Sequence, residues 1–128
     1  MVGGAQRDFI GRTNEDANIF GTGFLYDPPI DMWTSTAALG YDRFGHAAVR
    51  IGSGQVIIMG GFADFGINAS TDRMEIYDPA GTTIASSARP SMTEARWRHT
   101  ATVLDTGKVL TAGGFDDLGS GAVRPLKT

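Results

Sequence analysis

Arg43-Phe44-Gly45-His46-Ala47-Ala48-Val49-Arg50-Ile51, continued by Gly54-Gln55-Val56-Ile57-Ile58-Met59-Gly60-Gly61-Phe62, decides the fold because it occurs twice. Displaced by 53 residues it becomes Arg96-Trp97-Arg98-His99-Thr100-Ala101-Thr102-Val103-Leu104, continued by Gly107-Lys108-Val109-Leu110-Thr111-Ala112-Gly113-Gly114-Phe115. Ten of the 24 positions from Arg43 to Gly66 are identical to their counterparts without a gap, which chance does not give. They include Arg43 and Arg96, His46 and His99, the double glycines Gly60-Gly61 and Gly113-Gly114, and Asp64 and Asp117. Phe44 with Trp97, Ile51 with Leu104 and Ile57 with Leu110 are conservative pairs. A fixed period near 50 residues marks a chain built of stacked units.

Outward from that stretch, a second element recurs. Tyr26-Asp27-Pro28 and Tyr77-Asp78-Pro79 stand 51 residues apart, each after an aliphatic residue, Leu25 or Ile76. Leu39 and Met92 precede the two arginines by four residues, and Val2-Gly3-Gly4 supplies a third double glycine. One unit therefore reads Arg-x-x-His, an apolar strand, a tight turn, an apolar strand ending in Gly-Gly, a variable loop, then Tyr-Asp-Pro. Val56-Ile57-Ile58-Met59 is a continuous apolar run between glycines, expected of a strand buried on both faces. Gly52-Ser53-Gly54 and Asp105-Thr106-Gly107 have the composition of hairpin turns. Pro28 and Pro79 end strands, since proline cannot donate to a ladder. No segment carries a capped stripe of helical period, so almost no helix is expected.

The double glycine after an aliphatic run, the Tyr-Asp-Pro and the downstream Trp33 together resemble the kelch repeat, of the bacterial type similar to the galactose-oxidase central domain. The resemblance covers nearly the whole chain. It implies an all-β, kelch-type β-propeller fragment of about two four-stranded antiparallel blades, with strands A to D running outward from a central channel. Strand A is placed at 46–51 and 99–104, and strand B at 55–60 and 108–113. Strand C ends at Tyr26 and Tyr77, and strand D lies around 32–36 and 82–86. The chain then divides into 1–42, the end of one blade; 43–95, a complete blade; and 96–128, the start of a third. The tail 121–128 does not read as a good strand.

Units of this kind need neighbours, because one sheet cannot bury both its faces. Half-blades at both ends imply exposed apolar faces and unpaired edges. Three arrangements follow: a longer parent chain, a homo-oligomer in which three copies close a six-bladed ring, or, least favoured, an open stack of two blades.

Composition narrows the function. The net charge is −3 and the arginines are scattered, so no basic stripe points to nucleic acid. No apolar run is long enough to cross a bilayer, and no leader is visible; the compartment stays open. The chain has no cysteine, which removes disulfides, thiolate metal sites and a cysteine nucleophile. The galactose-oxidase likeness implies copper-radical chemistry in that family, resting on two tyrosines, two histidines and a cysteine crosslinked to one tyrosine. With no cysteine, and with Tyr26 and Tyr77 engaged in the repeat motif, this chain does not hold that set.

His46 and His99 are the only histidines, and they share one repeat position, as do Arg43 and Arg96. Residues copied with the repeat are read as scaffold. Gly60, Gly61, Gly113, Gly114, Tyr77 and Asp78 join them as structural motif residues. The arginines are expected to hold loop carbonyls or a carboxylate. No catalytic, metal or cofactor site is assigned. Because strands alternate in direction, the D-to-A connections (37–42, 87–95) and B-to-C connections (62–71, 115–121) emerge at one end. Asp64, Phe65, Asp116, Asp117 and Leu118 there are the candidate binding residues, with Phe62 and Phe115 expected to pack the loop bases. Asn68-Ala69-Ser70 fits a glycosylation acceptor. The function read from this is a noncatalytic module for a protein or glycan partner, without nucleic acid or membrane. The alternative is a fragment of a larger propeller enzyme whose catalytic residues lie elsewhere.

Overall fold

The computed structural model describes residues 2–6, 18–63, 69–80, 83–85, 91–117 and 123–126. It is all-β, in several small antiparallel sheets; the one helical element among the described residues is a 3-10 turn at Pro28–Ile30.

The central sheet has four strands in the order β5 (Ala47–Arg50), β6 (Val56–Met59), β9 (Met74–Asp78) and β10 (Thr83–Ala85), each antiparallel to its neighbour. These are the strands expected as A, B, C and D of residues 43–95. The β-branched and aromatic residues of Val56-Ile57-Ile58 and Ile76-Tyr77 favour the pleated, packed conformation. The turn between β5 and β6 closes when the Ile51 amide donates to Gln55 O and the Gly54 amide to Ile51 O, both at 2.9 Å.

On one side of this sheet stands its first half again. β11 (Thr100–Val103) and β12 (Val109–Ala112) pair in the register of β5 and β6 displaced by 53: Ala47 faces Met59, and Thr100 faces Ala112. Their turn repeats the same hydrogen bonds, Leu104 to Lys108 O and Gly107 to Leu104 O. β11 lies against β5, so the first strands of the two units are neighbours. The second half of the unit recurs as well. β2 (Asn18–Asp27) pairs with β3 (Met32–Ser35), with Tyr26 opposite Trp33 as Tyr77 is opposite Ile84. β1 (Val2–Gln6) holds the N-terminal part of β2, with Val2 opposite Gly23.

Between B and C the chain does not simply loop. β7 (Phe62–Ala63) pairs with β8 (Ala69–Ser70) and with β4 (Arg43–Phe44), placing Phe44 opposite Phe62. In the next unit β13 (Phe115–Asp117) pairs with β14 (Val123–Pro125), and Trp97 bridges Phe115 as Phe44 bridges Phe62. The expectation that 121–128 contains no good strand is corrected here. Val123-Arg124-Pro125 lacks a strand pattern of its own, but an edge position tolerates Pro125, and Arg124 reaches Asp116 across the pair at 3.2 Å.

The core cluster joins Leu39, Ile58 and Tyr77, with Val56 against it. Leu39 comes from the connection that follows the first half-sheet, so the cluster ties one unit to the next. The repeat makes the missing partners measurable. Tyr77 is 5% exposed and Tyr26 44%; Ile76 is 8% exposed and Leu25 40%. Residue types match in each pair; β9 has β6 beside it and Leu39 packed against Tyr77, whereas no strand lies on B's side of Phe24–Asp27 among the described residues. Covering what is left exposed of each such side chain contributes about 1 kcal/mol.

Candidate functional site

The D-to-A and B-to-C connections meet at one end of the sheets, as their common direction implied. Gly61 donates to Arg96 O at 2.8 Å, Met92 to Asp72 O at 2.9 Å and Arg96 to Thr71 O at 3.3 Å. These bonds fasten the start of one unit onto the B-to-C connection of the unit before it.

Arg43 and Arg96 organise this end. Both are buried. Arg43 Nη1 donates to Gly60 O at 2.9 Å and to Arg73 O at 3.1 Å, and Arg96 Nη1 donates to Gly113 O at 3.0 Å. The expected role, holding loop carbonyls, is what the geometry gives. Arg43 Nη2 also meets Glu75 Oε2 at 2.7 Å, both side chains fully buried, while the Gly40 amide donates to Glu75 Oε1 at 2.6 Å. Glu75 belongs to the same unit as Arg43, not to a neighbouring one. Among the described carboxylates Arg96 finds only Glu94 at 3.4 Å, a side chain 49% exposed.

The double glycines are backbone necessities. Gly60 and Gly61 have φ of +63° and +102°, and Gly113 and Gly114 +68° and +88°. A Cβ at Gly60 would stand 2.5 Å from Arg96 O, so the next unit packs where a side chain would be. Asp78 turns the chain after β9, accepting from the Ala80 amide at 3.0 Å and from Gln55 at 3.2 Å.

His99 is buried beside Gly60, with no hydrogen-bond partner for either ring nitrogen among the described residues. Burial above all, then the nearby charge of Arg96 and finally His46, pushes its pKa down from 6.5 to about 4. His99 is therefore neutral at pH 7. Among the described residues no group of three or more His, Asp or Glu side chains converges as a metal site. The depressed value predicts a pH dependence. Folding favours neutral His99, so its contribution is complete above pH 6.5 and is lost as the pH falls towards about 4. Between pH 7.5 and 5 the wild-type chain is expected to lose about 2 kcal/mol of stability through this group. Urea unfolding at several pH values checks it: the gap between wild type and His99→Gln should narrow by that amount on acidification, and a constant gap would refute it.

Four rings line this end. Phe44 and Phe62 have centroids 5.3 Å apart, Trp97 stands 6.0 Å from Phe44 and 5.8 Å from Phe62, and Phe115 lies 6.0 Å from Trp97. Phe62 and Phe115 thus stack into a row across two units. Asp116 and Asp117, read as loop residues, lie in β13. Asp116 accepts from Ser70 Oγ at 2.7 Å, and the Asp117 amide donates to Ser70 Oγ at 3.0 Å. This bolt joins successive B-to-C hairpins and occupies one Asp116 oxygen, with Arg124 on the other. Asp64, Phe65, Leu118 and Asn68 lie outside the described residues.

One residue of this surface escaped the sequence reading. Gly45 and Arg98 share a repeat position, and both have left-handed φ, +63° and +55°. A residue with a Cβ incurs roughly 1 kcal/mol there. Arg98 offsets this by laying its guanidinium 4.7 Å from the centroid of Trp97, a contact contributing about 0.5–1 kcal/mol when exposed. The signal was available as Gly45 replaced by arginine in an otherwise matching stretch.

No protein-family model matches the chain, and no curated protein does. Among solved structures, that of YjhT aligns with 67% of this chain at a TM-score of 0.59 and 20% identity, a likeness of fold alone. The alignment covers 25% of the YjhT chain, so this chain corresponds to a minor part of its length.

Proposed function

We propose that the chain is part of a kelch-type β-propeller and serves as a noncatalytic interaction module, binding a protein or glycan through its D-to-A and B-to-C connections. The observation that carries this is the row Phe44, Phe62, Trp97 and Phe115 at the end where those connections converge, with the exposed Arg98 stacked on Trp97. Aromatic faces beside a planar guanidinium suit a sugar ring or a partner's carboxylate. The propeller reading is supported by the four-stranded sheet flanked by a leading and a trailing half-sheet in equivalent registers. A second reading is a portion of a larger propeller enzyme with its chemistry elsewhere; the alignment with part of a longer solved chain supports its being a portion and carries no activity.

A printed panel of neutral and acidic oligosaccharides, probed with the labelled chain, tests the glycan form. Arg98→Gly is the informative variant, because Gly45 already fills that position in the preceding unit. It is expected to stay within about 0.5 kcal/mol of wild type in stability and to weaken glycan binding roughly tenfold. Unchanged binding would remove this end of the sheets as the binding surface.

A further inference from the structure

The segment 92–99 forms the seam between the central unit and the one that follows it, and what it buries there is polar. Arg96 is 6% exposed and His99 7%, while Met92 and Trp97 are only half-buried. The apolar core cluster of Leu39, Ile58 and Tyr77 contains no residue of this segment. The seam is held instead by the backbone bonds from Gly61 to Arg96 O, Met92 to Asp72 O, Arg96 to Thr71 O and Arg98 to Gly45 O, by Ser70 on Asp116, and by Trp97 against Phe44 and Phe62. A contact with few buried apolar groups opens at lower free energy than a core strand does.

His99 is set into that seam. Its Cε1 lies 2.6 Å from where a Cβ of Gly60 would stand, so the ring rests on the backbone of the central unit. The ionisable groups on the segments that meet there are Glu94, Arg96 and Arg98 from its own lead-in, Arg43 and His46 from the lead-in to β5, Asp72, Arg73 and Glu75 from the central unit's third strand and its approach, and Asp116 and Asp117 from β13. Arg43 is matched by Glu75, Arg73 lies over Tyr41 and Arg98 over Trp97; Glu94 meets Arg96, and Asp116 holds Ser70 and Arg124. None of these carboxylates bonds the imidazole, whose two nitrogens have no partner among the described residues. A proton on His99 therefore adds a positive charge beside buried Arg96 with no described acceptor, and the strain is relieved when the ring reaches water.

We propose that the seam is an acid-opened joint: protonation of His99 lifts the segment 92–99 off Gly60 and Gly61 while the central four-stranded sheet stays paired. Phe44 and Phe62 belong to the central unit and Trp97 and Phe115 to the next, so opening splits the aromatic row. Release of a bound partner in acid follows, and this consequence alone rests on the binding reading. The direction comes from linkage. With the seam closed, burial first, then Arg96 and His46, hold the His99 pKa at about 4; with the seam open it returns towards 6.5. The open form thus takes up the proton first as the pH falls, and between pH 7.5 and 5 the opening constant rises about 30-fold.

The test uses the full chain without ligand, so it does not depend on the binding reading. Trp33→Phe removes an exposed indole and leaves Trp97 as the one tryptophan. Its emission is expected to move to the red as the pH falls from 7.5 to 4.5, and to hold its position over that range when His99→Gln is added. Amide exchange in the wild-type chain locates the change. At pH 5, corrected for intrinsic rates, the Gly61, Met92 and Arg96 amides should be at least roughly tenfold less protected than those of β6, a strand paired on both edges. Equal protection of the two sets would mean that acid unfolds both units together, and would overturn the joint. So would Trp97 emission that ignores pH, or that shifts equally with glutamine at 99. If emission and exchange behave as expected but a glycan captured at pH 7.5 stays bound at pH 5, the joint stands and the aromatic row is not the binding surface.

Discussion

Glu75→Gln is expected to lower the stability of the chain by about 3–5 kcal/mol, a large part of the roughly 5–15 kcal/mol that holds a domain folded. The Arg43–Glu75 pair has no exposed side-chain surface on either partner. Its attraction is set against the cost of removing two charges from water, so the pair's net contribution is small while breaking it is costly. With glutamine at 75, the guanidinium keeps its charge but loses the opposite one, and the single amide oxygen can accept from Arg43 or from the Gly40 amide, while the NH2 faces the other donor. The Gly40 amide also loses a charged acceptor that ties the preceding connection to β9. Urea unfolding measures the loss. The double variant Arg43→Met/Glu75→Leu should recover about half of it, because the orphaned charge is gone although two carbonyls have lost a donor. Glu94→Gln provides the contrast: its contact with Arg96 is long and half exposed, and removing it should shift stability by less than about 0.5 kcal/mol. Equal losses from Glu75→Gln and Glu94→Gln would show that burial does not separate the two pairs.

The pairing of Arg43 with a glutamate marks where sequence reading stopped. The repeat placed β5, β6, β9 and β10 correctly, because glycine turns, apolar runs and Tyr-Asp-Pro are local signals copied from unit to unit. It also put Arg43, Arg96 and the double glycines in scaffold roles. What it missed is carried by contacts between distant segments. Glu75 lies in a strand whose neighbours are apolar, and nothing local announces that it faces Arg43, 32 residues away. β13 and β14 are short and gain their pairing from Phe115 being held by Trp97, so 123–125 carries no strand pattern. Asp116 looked like a loop carboxylate because its partner, Ser70, lies 46 residues earlier. Arg98 was hidden for another reason. Residues common to both units drew attention, whereas the informative feature was a mismatch at a position whose backbone demands glycine.

The same comparison between units separates two glycines that the sequence makes equivalent. Gly60 and Gly113 occupy one repeat position and have nearly equal φ, +63° and +68°. A methyl group at either incurs the left-handed penalty of about 1 kcal/mol. At Gly60 that methyl would also meet Arg96 O at 2.5 Å, His99 Cε1 at 2.6 Å and Met92 Cε at 2.9 Å; at Gly113 it would meet nothing within 4 Å. Met92 can swing aside, but Arg96 O is backbone, fixed by the Gly61 amide at 2.8 Å. Gly60→Ala therefore has to push the following unit off the central sheet, and a loss of about 3–5 kcal/mol is expected, against about 1 kcal/mol for Gly113→Ala. Urea unfolding of the two variants measures the difference directly. It reports packing between units and nothing else, since conformation, residue type and repeat position are matched. Equal losses would mean that the segment 92–99 does not rest on Gly60. A large difference would establish that contact and leave Gly113 as the corresponding seat, open among the described residues, beside the edge of β12.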